Sequence, residues 1–284
     1  MPLNMRLILY LCLWMFYPLV AGAQSDVLRV MSFNIRYDNP ADGDNNWHQR
    51  KAAIVDLCAT QQPAVIGMQE ALIHQVQYLD SALSNYRYIG VGRDDGKYAG
   101  EFSPIFYDTT RFTVLASGTF WLSPTPEQPS RGWDAALPRI CTYAFLQRLG
   151  TAEKCWVFNT HFDHVGDTAR LNSAQLILQH MLPVLNMQND PVIIMGDLNA
   201  EPDTQCYQQF ATAMQDGRSS ATAGVRGPEG TFNGFDVHPA AMKRIDYIFT
   251  TGFTVLEQWH LDNKQSNGLW LSDHFPVQAD LQFN

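Results

Sequence analysis

The sequence has little positive charge for its length. It carries 19 lysine and arginine residues against 28 aspartate and glutamate residues, so its formal net charge at pH 7 is -9. A protein with this balance does not attract nucleic acid or an anionic membrane over its whole surface. Either can still be a substrate, because a metal ion held by clustered carboxylates would reverse the local field.

Cysteine is scarce too, and its spacing defines no metal site. The five cysteines form no CxxC pair and no Cys/His zinc pattern, so nothing indicates structural zinc. Cys141 and Cys155 fall on neighbouring strands of a predicted hairpin, where they are not opposite each other. We therefore interpret Cys58, Cys141, Cys155 and Cys206 as buried free thiols, since their spacing defines no disulfide framework.

One long apolar run stands near the N-terminus. Leu7 to Val20 is almost wholly apolar, and the small residues Ala21-Gly22-Ala23 follow it. This order predicts a secretory signal peptide over residues 1–23 that is cleaved after Ala23. The alternative is a retained membrane helix, but the run is short for a membrane span. We expect an exported protein, periplasmic or extracellular, without stable membrane insertion after cleavage.

Repeats, low-complexity tracts and linker-like breaks in composition are absent from the rest of the chain. Residues 24–284 therefore read as one domain, and we expect a monomer. Many short strand-like runs occur with a few helical patterns, which predicts an α/β fold of two packed sheets with helices outside. Residues 216–234 read as a glycine-rich loop.

The segment Pro191–Asp203 is the most informative stretch. Its run Val192–Met195 is typical of a strand buried on both faces, and Gly196 allows a close backbone approach because it has no Cβ. Asp197 and Asn199 follow at a spacing of two, so on an extended chain both point the same way. The alternative is an ordinary strand end with turn residues after it.

Other predicted strands also end in polar residues. Each of these residues has a simpler explanation when it is taken alone, such as a turn residue, a helix N-terminal acid or a satisfied strand histidine. A carboxylate within an apolar strand needs a partner, and histidine is a natural one. The polar residues are Asn34, Glu70, His161, the Asp273-His274 pair, and Asp246 within the strand Arg244–Phe249.

Together these groups suit metal-assisted hydrolysis of a phosphoester. Glu70 and Asp273 offer the hard oxygen ligands that Mg²⁺ prefers, and the ion would neutralise phosphate charge. Asp197 can position or deprotonate a water molecule. His161 and His274 can move protons or stabilise the charged transition state.

Six segments resemble the endonuclease/exonuclease/phosphatase superfamily of deoxyribonuclease-like phosphodiesterases, in a secreted bacterial branch. They occur in the family's order and cover nearly the whole mature chain. The segments are Met31–Arg36, Gly67–Glu70, Asn159–Asp163, Gly196–Asn199, Arg244–Tyr247 and Ser272–Val277. The resemblance implies a four-layer αββα sandwich of two mixed β-sheets with helices outside.

The resemblance also implies a divalent ion, Mg²⁺ or alternatively Mn²⁺. Glu70 would be its chief ligand, with Asp273 near it and Asn34 close by. Some family members carry an acidic residue just after this asparagine, whereas this chain has Arg36. The resemblance therefore does not extend to a second metal ion at this corner.

The same resemblance gives each remaining residue a role. Asp197 would orient or activate the attacking water, and Asn199 would contact the phosphate. His274 would be the general base or would stabilise the transition state, held by Asp246. His161 would act as an acid or a phosphate contact, whereas the neighbouring Asp163 and His164 receive no definite role.

The substrate is left open, because the family cleaves DNA, RNA, sphingomyelin and inositol phosphates, and the loops must choose. The long segment 123–138 and its flanks contribute Trp121, Trp133, Arg131 and Arg139. The tryptophans either stack on a base or sugar or attach the loop to the domain.

The sequence shows no basic stripe for duplex DNA and no long apolar hairpin of the kind that a membrane-inserting sphingomyelinase would use. We therefore rank a secreted nuclease or general phosphodiesterase first. A phosphomonoesterase, or a lipid-phosphate or sugar-phosphate phosphodiesterase, comes second. A non-catalytic binding module comes last, because Glu70, Asp197, Asn199, Asp246 and His274 are all present.

Overall fold

The computed structural model describes residues 27–236, 238–239 and 242–284. The predicted signal peptide and its cleavage site lie outside these residues. Across the described ranges, no helix combines the length and the apolar character that a membrane span requires.

Two mixed β-sheets form the centre of the fold, with strands numbered in chain order. Within the described part of the chain, the first has seven strands in the order β10-β12-β13-β1-β2-β4-β3, and the second has six in the order β5-β6-β7-β8-β11-β9. The strands of the first sheet are β1 (Val27–Asn34), β2 (Val65–Gln69), β3 (Tyr86–Ile89), β4 (Ile105–Asp108), β10 (Gly224–Arg226), β12 (Phe253–His260) and β13 (Val277–Phe283). Those of the second are β5 (Phe112–Trp121), β6 (Ile140–Arg148), β7 (Lys154–His161), β8 (Val192–Asp197), β9 (Gln215–Asp216) and β11 (Asp246–Thr251).

Helices cover the outer face of each sheet. The longer ones are α1 (Trp47–Gln61), α2 (Ile73–Ala82), α3 (Asp167–Gln175) and α5 (Gln205–Ala213). Shorter turns are α4 (Leu182–Leu185), α6 (Gly217–Ser220), a 3₁₀ turn at Pro40–Asn45 and a π-helical turn at Leu176–Met181. The first of the long helices begins where the Asn46 side chain accepts a hydrogen bond from the Gln49 N–H, which is an ordinary N-cap.

Three apolar clusters confirm the predicted four-layer sandwich. The central cluster lies between the sheets and includes Val30, Ile193 and Met195. A second cluster packs the helices around Phe210 against the second sheet, and a third packs those around Ile54 against the first. This arrangement buries both faces of β8, as the apolar run Val192–Met195 predicted.

A polar bridge crosses the apolar layer between the sheets. Gln69 Nε2 donates to Asn159 Oδ1 at 2.6 Å, and Asn159 Nδ2 donates to the carbonyls of Met68 at 2.7 Å and Pro104 at 2.8 Å. The sheets approach closely here because Gly67 has no side chain: a Cβ would lie 2.6 Å from Asn159 Oδ1. These directional bonds set one sheet relative to the other.

The predictions for Gly196 and for the cysteines are confirmed. Gly196 has φ 147°, and a Cβ there would overlap the Thr160 carbonyl oxygen, so this position requires glycine. The four cysteines after residue 26 are free and buried. Cys141 is opposite Thr160 and Cys155 is opposite Leu146, so the two hairpin cysteines do not face each other.

The prediction of a single loop over residues 216–234 is wrong. This region contains the end of β9, the short helix α6 and strand β10, which pairs in parallel with β12. Two- and three-residue strands are too short to show a periodic pattern, and Val225 and Arg226 of β10 are exposed. Only the pairing with neighbouring strands reveals them.

Candidate active site

Strand topology brings the predicted polar residues to one edge of the sandwich. The parallel strands β1 and β2 end side by side at Asn34 and Gln69, and the parallel strands β7 and β8 end at His161 and Asp197. Strand β11 runs the other way and begins beside the end of β8, with Asp246 opposite Asp197. The segment before β13 is attached to β1 by a 2.7 Å bond from Ser272 Oγ to the Asn34 carbonyl.

A cleft of about 540 Å³ opens at this edge. Six of the eight predicted site residues line it, whereas Asn34 and Asp246 are fully buried behind it. The six are Glu70, His161, Asp197, Asn199, Asp273 and His274. Its walls also include Arg36, Tyr37, Glu101, Leu137, Arg139, His164, Phe232 and Lys243.

His274 lies between two buried aspartates. Its Nδ1 is 2.8 Å from Asp246 Oδ2, and its Nε2 is 3.7 Å from Asp197 Oδ2. Burial disfavours the charged ring, but the carboxylates of Asp246 and Asp197 outweigh it and hold the pKa of His274 well above its ordinary value. Burial and the charge of Asp246 also raise the pKa of Asp197.

His161 has the opposite electrostatic setting. Burial and the positive charge of Arg139 lower its pKa to about 3, so the ring is neutral at physiological pH. Asn199 Nδ2 lies 3.1 Å from His161 Nε2 and donates to the Phe162 carbonyl at 3.0 Å. Because an amide NH₂ can only donate, Nε2 accepts and the ring proton is on Nδ1. This Nδ1 atom has no hydrogen-bond partner among the described residues.

Asn199 reaches this position by a different route from the predicted one. Strand β8 ends at Asp197, and Asn199 has φ 47°, which is left-handed rather than extended. Its N–H donates to Asp197 Oδ1 at 2.9 Å. The prediction of an extended chain through Asn199 is therefore wrong, although Leu198, between Asp197 and Asn199, is buried in the core.

Asn34 joins the two halves of the site. Its Nδ2 donates to Glu70 Oε1 at 3.1 Å and to Asp197 Oδ2 at 3.0 Å, and lies 3.5 Å from His274 Nε2. Its Oδ1 accepts from the Arg36 N–H at 3.0 Å. In this orientation the amide oxygen is directed away from Glu70, so Asn34 supports the carboxylates through its NH₂ group.

One corner of the cleft is acidic: it holds the carboxylates of Glu70 and Asp273, with the guanidinium of Arg36 close to both. Arg36 Nη1 is 3.9 Å from Glu70 Oε2 and 3.7 Å from Asp273 Oδ2. Glu70 has φ 63°, and its Oε2 accepts from the Tyr37 N–H at 3.1 Å. Helix α2 begins at Ile73 with no acidic residue in its first turn, so Glu70 is not a helix-capping acid.

The corner fits a divalent cation. Glu70 and Asp273 present carboxylate oxygens to the cleft, and these are ligands that hard cations prefer. Among the described residues, Asp197, Asp246 and His274 also place three ligand atoms within 4.8 Å of one another. In that trio the contact of Asp246 with His274 is already a hydrogen bond of 2.8 Å, so an ion bound by all three would have to replace it.

Arg139 stiffens the opposite wall of the cleft. Its Nε donates to Asp163 Oδ1 at 3.3 Å, and its Nη2 is 2.9 Å from His164 Nδ1. Asp163 Oδ2 accepts from the N–H groups of Ala136, Val165 and Gly166 at 3.1, 3.0 and 2.8 Å. Asp163 and His164, left without a role by sequence, therefore connect the 123–138 segment to the end of β7.

Replacing Asp163 by alanine should destabilise the protein by about 3–5 kcal/mol, because the Arg139 guanidinium would stay buried without its partner. Chemical denaturation measures this loss. Alanine at the exposed Asp167 is the matched control and should change stability by less than about 0.5 kcal/mol. A loss below about 1 kcal/mol at Asp163 would contradict the wall's structural role.

The loss of stability in the Asp163→Ala variant should also depend on pH. Burial favours neutral Asp163, but its N–H donors and Arg139 hold the pKa of this carboxyl below its ordinary value. A depressed pKa contributes stability that is complete above the unfolded-state value of about 4 and is lost as pH falls through the folded-state pKa. The stability gap between native protein and variant should therefore narrow in acid.

The tryptophans flanking the long segment have different positions. Trp121 is buried, and its Nε1 donates to the Arg93 carbonyl at 2.7 Å, so it attaches the loop to the domain. Trp133 is 38% exposed, and Arg131 is exposed without lining the cleft. Of the four residues named from this region, only Arg139 lines the cleft.

Sequence reasoning did not find Glu101. It lies in a polar loop between Gly100 and Phe102 with no periodic pattern, yet its Oε2 is 3.7 Å from His161 Nδ1. Arg139 carried a usable signal, since it is a charge at the start of the apolar strand β6, as Asp246 is at the start of β11.

Comparisons with known proteins agree with this geometry. A model of the Endonuclease/Exonuclease/phosphatase family matches residues 31–274. A crystal structure of a family protein from Bacteroides thetaiotaomicron is 38% identical, covers 91% of this chain and 95% of its own, and superimposes with a TM-score of 0.87. A mannosyl-6-phosphatase from the same species is 37% identical, covers 90% of this chain and 100% of its own, and has a TM-score of 0.86.

More distant similarity extends to a viral protein. An uncharacterized protein of Acanthamoeba polyphaga mimivirus is 25% identical over 162 residues, which are 55% of this chain and 60% of the relative. The chain covers two thirds or less of the length of the curated relatives it matches.

Proposed function

Because the chain belongs to the endonuclease/exonuclease/phosphatase family, we propose that it is a phosphatase that hydrolyses the phosphomonoester of a small polar molecule such as a phosphorylated sugar. We further propose that it needs a divalent ion, Mg²⁺ or Mn²⁺, and that it is exported by way of residues 1–23. The fold is that of a phosphoester hydrolase, and the choice of a monoester rests on the cleft.

The cleft is a bounded pocket and its cations are already paired. Its volume of about 540 Å³ falls within the range that small-molecule sites occupy. Arg36 is bound to Asp42 by contacts of 3.0 and 3.1 Å, and Arg139 is bound to Asp163. Paired arginines at the end of a pocket do not form the continuous basic track that a nucleic acid backbone requires.

A relative supports the same choice. The mannosyl-6-phosphatase is 37% identical across the full length of its own chain, and its name denotes a phosphomonoesterase. The nuclease or general phosphodiesterase, ranked first from sequence, becomes the second candidate.

We assign the catalytic roles to side chains from both sheets. Asp197 Oδ2 accepts a hydrogen bond from Asn34 Nδ2 and lies within 3.7 Å of the Nε2 atoms of His161 and His274. These contacts support a role for Asp197 in orienting and deprotonating the attacking water. His274, fixed by Asp246, is positioned to stabilise charge on the phosphoryl oxygens. Asn199 holds neutral His161 in place at the wall of the cleft.

Glu70 and Asp273 would hold the divalent ion. When bound, the ion would neutralise phosphate charge as a Lewis acid. Arg36 already balances part of the charge of these two carboxylates, so a single ion suits the corner. The oxygen-rich donor set is the feature that supports Mg²⁺ or Mn²⁺ over softer metals.

A substrate panel tests the proposed function. Purified protein would be assayed with Mg²⁺, Mn²⁺ or a chelator on mannose 6-phosphate, p-nitrophenyl phosphate, bis-p-nitrophenyl phosphate, plasmid DNA, RNA and sphingomyelin. We expect kcat/KM for the monoesters to exceed that for the diesters by roughly a hundredfold, since a site built for one substrate class discriminates on that scale. Chelation should abolish the activity.

Two results would contradict the proposal. Preference for DNA, RNA or the diester would identify a nuclease or phosphodiesterase. Binding of mannose 6-phosphate without turnover of any substrate would identify a non-catalytic binding module.

A further inference from the structure

Arg36 places a positive charge against both carboxylates of the acidic corner. Its Nη1 is 3.7 Å from Asp273 Oδ2 and 3.9 Å from Glu70 Oε2. Both distances are too long for hydrogen bonds, so the guanidinium acts on the carboxylates through its charge. Glu70 and Asp273 therefore keep lone pairs that can bind another ligand.

The guanidinium is held in this position from its other side. Its Nε and Nη2 atoms donate to Asp42 at 3.0 and 3.1 Å, and its central carbon lies 4.6 Å from the centre of the Tyr37 ring. The pair with Asp42 leaves Nη1 as the nitrogen that faces the corner. Arg36 is thus a fixed charge with a defined direction, because a forked contact of this kind sets the plane of the guanidinium.

The backbone of Arg36 is held as firmly as its side chain. Its φ is 59°, a conformation that is costly for a residue with a side chain and that persists only where neighbouring contacts enforce it. The Arg36 carbonyl accepts from Gln75 Nε2 at 3.1 Å and from Arg50 Nη2 at 3.4 Å, and its N–H donates to Asn34 Oδ1 at 3.0 Å. These bonds use only the main chain of Arg36, so a change of its side chain leaves them in place.

A guanidinium and a divalent ion compete for the same negative charge. Like charges repel, and an arginine side chain does not lose its proton in a protein. The Arg36 side chain is 23% exposed, so water screens only part of this repulsion. In the absence of an ion the same charge is favourable, because it offsets the repulsion between Glu70 and Asp273.

We propose that Arg36 is a built-in counter-ion of the acidic corner, which weakens its affinity for the divalent ion and stabilises the corner when no ion is bound. The inference rests on the proposed function, in which Glu70 and Asp273 hold Mg²⁺ or Mn²⁺. It adds the residue that sets the ion concentration at which the site fills. The ion then exchanges with the surrounding solution, and the occupancy of the site follows the concentration outside.

Titration calorimetry with Mn²⁺ compares native protein with Arg36→Met and Arg36→Lys. Methionine keeps an unbranched apolar stem and removes the charge. We expect Kd for Mn²⁺ to fall about tenfold in Arg36→Met, since one nearby repulsion is removed. It should stay within about threefold of native in Arg36→Lys, because lysine keeps the charge but not the fork. If Arg36 instead served to position the carboxylates, Arg36→Met would bind Mn²⁺ more weakly than native protein.

Two further variants separate the local charge from the net charge. Arg226→Met removes an exposed arginine that is bound to Glu257 at 3.1 Å and does not line the cleft, and its Kd should stay within about twofold of native. Combining Arg36→Met with Asp42→Asn restores the net charge. This double variant should keep a gain of about fivefold or more, because the removed charge was the one beside the carboxylates.

Thermal denaturation provides a second readout and verifies the fold. In chelator the Tm of Arg36→Met should be lower than that of native protein, because Glu70 and Asp273 lose their counter-charge. Saturating Mn²⁺ should raise the Tm more in the variant than in native protein, since a ligand that binds more tightly stabilises the folded state more.

The outcomes separate this inference from the proposed function. Unchanged or weaker Mn²⁺ binding in Arg36→Met, while native protein binds the ion, would overturn the counter-ion role alone. A tenfold gain that persists when Glu70→Gln is added would overturn it too, because the ion would then lie away from the corner. If native protein binds no Mn²⁺, the divalent ion of the proposed function is wrong and the inference falls with it. If native protein binds Mn²⁺ but hydrolyses no monoester, the phosphatase assignment is wrong, whereas the Kd of Arg36→Met still decides the counter-ion role.

Discussion

Replacing His274 by glutamine should lower kcat/KM for a phosphomonoester by about a thousandfold, the scale on which a positioned histidine acts. The ring is buried between Asp246 and Asp197, and its Nε2 lies 3.5 Å from Asn34 Nδ2, at the point where both sheets meet. Glutamine can still donate to Asp246 but cannot carry a positive charge toward the phosphoryl oxygens. Steady-state kinetics with p-nitrophenyl phosphate measures the loss.

Two further variants show whether the loss belongs to the site. His180→Gln changes an exposed histidine and should keep full activity. Asp246→Asn combined with His274→Gln should lose little more than His274→Gln alone, since the two residues act as one unit. Activity above about a tenth of native in His274→Gln would refute the role assigned to this ring.

Glu70→Gln should weaken binding of the divalent ion by about a hundredfold. The variant keeps the shape of the side chain but removes the negative charge that hard cations prefer. Titration calorimetry with Mn²⁺ measures the affinity directly, and the metal concentration that gives half-maximal activity should rise in parallel. Glu127→Gln, an exposed acid outside the cleft, should leave both quantities unchanged.

The same titration distinguishes the two candidate positions of the ion. If Asp197→Asn loses Mn²⁺ binding while Glu70→Gln retains it, the ion binds the buried trio of Asp197, Asp246 and His274. That outcome would move the metal from the acidic corner to the base of the cleft. The opposite outcome supports the corner.

The sequence predicts the layers of this fold because a strand buried on both faces has a recognisable run of apolar residues. Val192–Met195 is apolar at every position and forms a strand buried on both faces. The order of the strands in a sheet has no such local pattern. Strand β1 lies between β2 and β13, and β13 is the last strand of the chain. That arrangement is set by packing between segments about 250 residues apart.

The site was predictable where a polar residue ends an apolar run. This rule selected seven of the eight candidate residues, whereas Asp246 was selected as a carboxylate within an apolar strand. The structure brings all eight to one edge of the sandwich. The rule failed for the backbone of Asn199, because a left-handed turn at φ 47° is allowed to asparagine but not demanded by it. Neither pattern could select Glu101, because Arg93 and His161 approach its carboxylate only in the folded chain.

The amide bridge between Gln69 and Asn159 has a consequence for how this enzyme can change. Asn34 ends a strand of one sheet, with Glu70 just after its neighbour β2 and Asp273 before β13, whereas His161, Asp197 and Asp246 lie in strands of the other sheet. Apolar packing alone has no preferred direction, so it would allow one sheet to shift relative to the other. The directional hydrogen bonds of Gln69 and Asn159 fix the relative position of the two sheets. The hydrogen bonds in the layer between the sheets therefore align the candidate catalytic side chains. Loops above the cleft are free to be exchanged for new substrates while the chemistry stays aligned.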